Sequence, residues 1–317
     1  MTCHRCLEKE TAVGIAYSDY VPELLAVTPG LVDYVEIPFE HVVRVPSAIE
    51  IKQQVPIVLH CASLSLAGNV EPNPRLIQQL KHWTQESETP WLGEHIAYVR
   101  ADGLFLEIAE HEALVCGETN APLDDDIGLP SMEGTAFNVG YTVSPQLSPP
   151  VLERVVEASA RWSAVLGMPV LLENGPIYFE MPGSSMSQVE FIQVLCNRLD
   201  TARLLLDLSH LAITCNNLRL DPIATLEALP LNRIMEVHLS GARQEKGLVW
   251  DDHGSSAPPL VFELLEQLLE KAHPHAVTLE YNWDANFPLE TLERDVGRVR
   301  DIVGRHQEVI VMHNESR

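Results

Sequence analysis

The chain has 317 residues and a formal charge of -24, from 45 acidic and 21 basic residues. A surface this acidic repels phosphate backbones, and the sequence has no basic patch, which argues against a nucleic-acid partner. No apolar run is long enough to cross a bilayer, and the N-terminus lacks the apolar segment of a secretory signal, so we expect a cytoplasmic protein with no membrane partner.

Eight short runs of nearly continuous apolar character are predicted as parallel strands covered on both faces. In chain order they begin at Ala12, Asp33, Pro56, Leu92, Pro169, Arg203, Ile234 and Ala276. Between most of them lie amphipathic segments, which are predicted as helices. These begin at Pro74, Pro149, Ser185, Asp221, Pro258 and Pro288.

This alternation predicts one α/β domain over residues 1–317, a single (β/α)8 TIM-like barrel, since such barrels need about 250 residues. An open doubly wound sheet is the alternative, although the Gly-rich phosphate turn that often accompanies it is absent. Residues 1–11 are expected to form a flexible N-terminus. Residues 117–150, rich in Pro, Gly and Asp, are too long for an ordinary connection and are predicted as a long loop at the C-terminal mouth, a candidate lid, with a disordered insertion as the alternative.

Metal-capable side chains recur where the predicted strands end. Six lie at or near strand ends and three more follow strands in short loops, and together they are His60, His95, Glu173, Asp207, His210, His238, Asp251, His253 and Glu280. Because the carboxyl ends of barrel strands converge on one face, we expect them to share one pocket. Each residue alone is explained equally well as an ordinary loop residue or a hydrogen-bonded cap.

The combination is harder to explain without bound cations, because several neighbouring carboxylates cannot all stay ionised at neutral pH. Mixed imidazole and carboxylate ligands suit iron, zinc or manganese, and nine ligands exceed the six positions of one ion, so two or three ions are predicted. Glu173 is the candidate bridging carboxylate, and Asn174 beside it could orient a ligand or bind substrate. Four further residues follow the first two strands and are candidates to line the same mouth, although solvated loop residues are the favoured interpretation: Asp19, Glu36, Glu40 and His41.

The residues around these ligands resemble the multinuclear non-haem iron-dependent oxidase (MNIO) family over most of the chain. The resemblance rests on VPIVLHCASLSLAG at the third strand, LGEHIAYV at the fourth, PVLLENGPIYFE at the fifth, and the later segments LLLDLSHL, EVHLSGA, WDDHG and TLEYN. The ordered series LLEN, LLDLSH, HLSG and DDHG is the specific part.

The resemblance implies a TIM-like barrel that holds two or three iron ions in mixed Fe(II)/Fe(III) states. The ligands it implies are His60, His95, Glu173, Asp207, His238, Asp251, His253 and Glu280. It also implies an oxidase or oxygenase that uses O2 to modify a Cys, Asp or Asn residue of a ribosomally made precursor peptide, with a separate partner protein that recognises the leader. We expect Glu173, Asp207 and His238 to be catalytic.

The chain departs from the family pattern at two places. Ser209 and His210 stand where many members have an Asn pair, so the third metal position is expected to be coordinated differently here. The first strand, GIAYSDY, lacks the Arg and His that often follow the glycine in the family. The peptide substrate therefore does not follow from the resemblance.

Three other functions compete with the oxidase. A trinuclear zinc phosphoesterase or nuclease of the endonuclease IV type fits the pairs Asp207-x-x-His210 and Asp251-x-His253, although a DNA substrate suits a charge of -24 poorly. A sugar isomerase of the xylose isomerase class is another enzymatic alternative. A non-catalytic metal-binding barrel is the alternative from a different class.

Overall fold

A computed structural model describes residues 10–101, 137–282 and 287–315. Its strands are β1 (Ala12–Ala16), β2 (Tyr34–Pro38), β3 (Ile57–Cys61), β4 (Leu92–His95), β5 (Tyr98–Ala101), β6 (Phe137–Val143), β7 (Val170–Glu173), β8 (Arg203–Asp207), β9 (Ile234–Leu239), β10 (Ala242–Glu245), β11 (Leu248–Asp251) and β12 (Ala276–Leu279). Its α-helices are α1 (Val21–Val27), α2 (Phe39–Arg44), α3 (Pro74–Ser87), α4 (Pro149–Leu166), α5 (Gln188–Arg198), α6 (Leu208–Leu218), α7 (Pro222–Glu227), α8 (Pro259–Leu269) and α9 (Leu289–Glu315).

Eight parallel strands close into a barrel in the order β1, β2, β3, β4, β7, β8, β9 and β12. Closure comes from the pairing of β1 with β12, in which Ala12 to Ile15 lie beside Ala276 to Leu279. The eight predicted strands and the (β/α)8 barrel are confirmed. The alternative of an open sheet is wrong, because the strands that would form its two edges, β1 and β12, pair with each other. The main apolar core fills the space between the strands and the surrounding helices.

Helix α6 is absent from the sequence prediction, because most of its residues are apolar or buried and it has no clear polar face. It begins directly after β8, where the Asp207 side chain accepts a hydrogen bond of 2.6 Å from the backbone N–H of His210. Asp207 is therefore the N-cap of α6. This cap fixes the first turn of α6 at the mouth of the barrel.

Two antiparallel two-stranded sheets are added to the barrel at its C-terminal end. One pairs β5 with β6, and the other pairs β10 with β11. Of the predicted loop, residues 117–136 lie outside the described part of the chain, residues 137–143 form β6, and α4 begins at Pro149. Residues 1–9 also lie outside the described part. No described helix is long and apolar enough to span a membrane.

Candidate metal centre

Glu173, the last residue of β7, lies at the centre of the predicted ligands. Its Oε2 atom is 3.3 Å from His60 Nε2 and 3.2 Å from His95 Nε2. Its Oε1 atom is 3.4 Å from His210 Nδ1. One carboxylate thus faces imidazoles from two sides, as a bridging ligand does.

The end of β8, the first turn of α6, β11 and the loop after it supply a second group of side chains. Asp251 Oδ2 is 3.1 Å from His210 Nε2 and 2.8 Å from His253 Nε2. Asp207 Oδ2 lies 3.6 Å from the same nitrogen of His210. The β10–β11 hairpin brings Asp251 back to the mouth that the chain left after β9.

His238 on β9 connects the remaining residues. Its Nδ1 atom is 3.1 Å from Glu280 Oε2, and its Nε2 atom is 2.9 Å from Glu36 Oε2. The second oxygen of Glu280 lies 3.8 Å from His253 Nδ1. All nine predicted ligands therefore belong to one continuous cluster.

The nine residues divide into three groups whose ligand atoms all lie within 4.8 Å of one another. The groups are His60, His95 and Glu173; His210, Asp251 and His253; and Glu173, Asp207, His238 and Glu280. Glu173 belongs to two of these three groups, and a fourth group joins Glu36 to His60 and His238. Adjacent groups of imidazoles and carboxylates, two of them sharing Glu173, match the donor set expected for two or three cations.

Buried oxygen atoms without hydrogen-bond donors support the same conclusion. Both oxygens of Glu173 and Oδ2 of Asp207 are buried and accept no hydrogen bond from the described residues. Both residues are 0% exposed, and a buried carboxylate without a partner is costly. The nearby imidazole nitrogens are close but not aligned as donors. A cation would satisfy these oxygens, so the residues present fit a metal cluster.

The titration of the cluster depends on burial and on mutual charge. Burial raises the pKa of Glu173 well above its ordinary value, and it raises that of Asp207. Burial lowers the pKa of His95 to about 3 and that of His60 well below its ordinary value. These two imidazoles are therefore neutral at pH 7, which is the form that binds a metal. Burial would also raise the pKa of Glu280, but His253 and His238 hold it well below its ordinary value.

Gly93 on β4 makes room for the ring of His60. A Cβ atom at this position would lie 2.4 Å from His60 Nδ1 and 3.0 Å from Leu205 Cδ1. The ring therefore occupies the place of a side chain at residue 93, and its Nε2 atom faces Glu173. The glycine in LGEH is thus a requirement of the site.

Asn174 holds the ligands of the next strand. Its Nδ2 donates to the carbonyl of Asp207 at 3.0 Å, and its Oδ1 accepts from the N–H of Asp207 at 2.9 Å. Its own carbonyl lies 2.8 Å from His210 Nδ1, which must carry the proton because a carbonyl only accepts. Of the two roles predicted for Asn174, this geometry favours orienting the ligands over binding substrate, and it leaves His210 Nε2 to face Asp251.

Of the four residues interpreted as solvated loop residues, only Asp19 is exposed, since Glu40 and His41 are half-buried on α2. The interpretation is most clearly wrong for Glu36. It is 2% exposed and accepts from His238, because it is an inward-facing residue of β2. Burial raises the pKa of Glu36 to about 8, although the neighbouring His238 lowers it. Asp19 is solvated, with its side chain 79% exposed, 3.9 Å from His41. Glu40 is partly buried and accepts from the backbone N–H of Ala62 at 3.1 Å.

Two buried acids were missed by the sequence analysis. Glu94 accepts from the backbone N–H groups of Leu64 and His95, and so fixes the loop after β3. Glu236 accepts from the Trp91 indole at 2.6 Å, beneath His238. The spacing Glu236-x-His238 could have revealed the second, because residues two apart on a strand share a face.

A cavity of about 660 Å³ opens above the cluster. Five candidate ligands reach it: His95, His210, Asp251, His253 and Glu280. The other side is formed by Pro176, Tyr178, Phe179, Met181 and Trp250. This volume is typical of a small-molecule or peptide side-chain site.

A closed barrel with an imidazole and carboxylate cluster at its C-terminal mouth is the architecture of a metal-dependent TIM-barrel enzyme. The chain belongs to the family described as "RiPP precursor modification enzyme MbnB/TglH/ChrH", whose model matches residues 12–109 and 146–304. This confirms the resemblance to MNIO enzymes. The family consists of enzymes that modify precursors of ribosomally made peptides.

Individual proteins are similar to this chain in sequence or in fold. The chain is 29% identical over 240 residues to a UPF0276 protein of Acaryochloris marina, which covers 75% of this chain and 74% of the relative. The fold of this chain is similar to that of a xylose isomerase domain protein from Planctomyces limnophilus, with a TM-score of 0.53 and 12% identity. The match covers 95% of this chain and 99% of the other. Endonuclease IV from Thermus thermophilus gives a TM-score of 0.52, 15% identity, and coverage of 92% and 99%. At such identities these two structures show the fold alone.

Proposed function

We propose that this protein is a multinuclear iron-dependent enzyme that uses O2 to oxidise or oxygenate a Cys, Asp or Asn residue of a ribosomally made precursor peptide. The observation that carries the proposal is the cluster of nine ligand side chains around the two unpartnered oxygens of Glu173. Membership of a peptide-modifying family supports the peptide substrate. The proposal includes a cytoplasmic location and a separate protein that recognises the leader.

The three groups of side chains would each hold one ion, and Glu173 would be shared between two of them. When bound, iron supplies one-electron chemistry with O2 and the positive charge that attracts a substrate thiolate or carboxylate. Two or three ions in mixed Fe(II)/Fe(III) states are proposed, with zinc as the alternative.

The protein's own groups set the geometry of this centre. Asn174 holds Asp207 and fixes the tautomer of His210, while Glu36 accepts a hydrogen bond from the ring nitrogen of His238 that faces away from Glu280. Such partners orient ligands and tune their basicity. We assign catalytic roles to Glu173, Asp207 and His238. The cavity side chains exclude water and bring the peptide residue to His95, His210 and Glu280.

Metal analysis of protein purified without oxygen tests this proposal. We expect two to three equivalents of iron per chain, and O2 consumption when the cognate precursor peptide is added. Glu173→Ala and His238→Ala should lower the metal content and abolish turnover while the barrel stays folded. Asp19→Ala is the matched control, because Asp19 is an acid at the same end of the barrel but solvated.

Three results would contradict the proposal. Stoichiometric zinc together with phosphodiesterase activity would favour the endonuclease IV type. Unchanged metal loading in both alanine variants would contradict the ligand assignment. Iron that supports no O2 consumption with the cognate peptide would favour a non-catalytic metal-binding barrel.

A further inference from the structure

The cavity above the metal cluster has two chemically different sides. Candidate ligands form its floor, whereas the wall consists of residues from the loop after β7 and from β11. The Tyr178 and Trp250 rings pack against each other with centroids 4.5 Å apart and planes inclined by 30°. The wall is therefore a preformed aromatic surface.

Phe179 extends this surface toward solvent. Phe179 is 61% exposed, and the other exposed aromatic residue in the described part of the chain, Tyr20, is 43% exposed. Met181 lines the same cavity. Single exposed apolar side chains are common on protein surfaces. A group of large ones at the rim of one cavity instead indicates a binding surface.

Charge in the cavity narrows the kind of ligand. Asp251, Asp252 and Glu280 line it, and none of the described residues along its lining is Lys or Arg. Metal ions would neutralise Asp251 and Glu280, whereas Asp252, outside the ligand groups, lies 3.6 Å from the guanidinium of Arg243, which does not line the cavity. An acidic side chain would therefore find no cationic partner at the wall, whereas an apolar side chain would bury area against Phe179 and Trp250.

We propose that this wall binds an apolar side chain, aromatic or large aliphatic, of the peptide residue next to the one that is modified. The inference rests on the proposed function, because it takes the ligand to be a peptide whose reacting residue reaches the metal cluster. The floor and the wall face one cavity, so a residue at the floor places its chain neighbour at the wall. The wall thus determines which sequence positions are modified.

The binding of short peptides to the metal-loaded protein without oxygen tests this inference. The probes are three N-acetylated, C-amidated tripeptides, Phe-Cys-Gly, Ser-Cys-Gly and Asp-Cys-Gly, and the measurement is calorimetry. We expect the Phe peptide to bind about 10-fold more tightly than the Ser peptide, since burial of one aromatic side chain supplies such a factor. The Asp peptide should bind most weakly.

Two wall variants and one control locate the effect. Phe179→Ser and Trp250→Ala should reduce the preference for Phe over Ser, while Trp250→Phe should retain it. Leu220→Ser is the matched control, because Leu220 is an exposed apolar residue, 47% exposed, that does not line this cavity. Metal content is measured in every sample, because Trp250 precedes Asp251.

Equal affinity for the Phe and Ser peptides, no binding of any of the three, or a preference that survives in both Phe179→Ser and Trp250→Ala would overturn the inference. The test is separate from that of the proposed function. The protein can lack iron and O2 consumption and still prefer the Phe peptide over the Ser peptide. It can also contain iron and consume O2 without this preference.

Discussion

The two halves of the barrel interior differ in chemistry although they are built from the same strands. The N-terminal half is closed by an apolar layer of Ala12, Tyr34, Val58, Trp91, Leu171, Leu205 and Ala276. The C-terminal half holds the metal-capable cluster. Inward positions are two residues apart, so Val58 is followed by His60, Leu171 by Glu173 and Leu205 by Asp207. These three strands thus each contribute an apolar residue to the core and, two residues later, a polar residue to the cluster, a division expected of TIM barrels.

The largest expected effect tests the apolar layer. Leu171 is fully buried, so Leu171→Ala should lower the free energy of unfolding by about 2–5 kcal/mol through the cavity it leaves. Denaturant unfolding measures the loss, and metal analysis of the folded protein should give an unchanged stoichiometry. A lower stoichiometry in the folded variant would show that the two halves are not separable.

The matched change in the C-terminal half should raise the free energy of unfolding instead of lowering it. Glu173→Met replaces a buried carboxylate, which has no hydrogen-bond donor among the described residues, with an apolar group of similar volume. In metal-free protein we expect a gain of roughly 1–4 kcal/mol, together with loss of metal binding. Thermal unfolding of both metal-free proteins provides the comparison. A metal-free variant less stable than the parent would refute the idea that this carboxylate is costly without a cation.

Gly93→Ala tests the boundary between the halves. The added methyl group would meet His60 Nδ1 and Leu205 Cδ1, one group from each half. Overpacking should cost about 1–3 kcal/mol, and displacement of the ring should lower metal content. Denaturant unfolding and metal analysis follow the two effects. Gly297→Ala is a matched control, since a Cβ atom there meets nothing within 4 Å.

Glu36→Ala tests whether Glu36 orients His238 in the C-terminal half. Because Glu36 accepts a hydrogen bond from His238, we expect its loss to weaken metal binding by about 10–100-fold, and Glu36→Gln to weaken it less, since the amide oxygen still accepts. Competition with a chelator of known affinity measures the change. Parent-like affinity in Glu36→Ala would show that Glu36 does not orient His238.

Tyr34→Phe should have the smallest effect. The Tyr34 hydroxyl lies 2.6 Å from Thr278 Oγ1, in the layer beneath the cluster. We expect a loss of about 1 kcal/mol in the free energy of unfolding, the value of one hydrogen bond, with unchanged metal affinity. Weaker metal binding in this variant would extend the functional region below Glu236.

The barrel and the position of the cluster followed from the sequence because both depend on strand ends. Apolar runs identify parallel strands, and polar residues that close such runs must face the mouth, as His60 and Glu173 do. Contacts between distant segments could not be predicted in this way. The burial of Glu36 depends on its pairing with His238 across 202 residues, and the return of Asp251 depends on the β10–β11 hairpin.

Helix α6 shows a second limit. Its residues are buried on nearly every side, partly because β11 packs on it through Asn217, whose side chain bonds both the N–H and the carbonyl of Val249 at 2.9 Å. A segment covered in this way lacks the amphipathic period that reveals a surface helix. The space that Gly93 leaves for the His60 ring also depends on the pairing of β4 with β3. No local sequence pattern predicts such a contact.

The β10–β11 hairpin places Trp250 and Asp251 side by side, one on the cavity wall and the other in the ligand cluster. An insertion or deletion in this ribbon would therefore shift both at once. Divergence of the family at this place should proceed by exchange of side chains at constant ribbon length, because only such changes can alter the cavity wall while the Asp251 carboxylate keeps its position in the cluster.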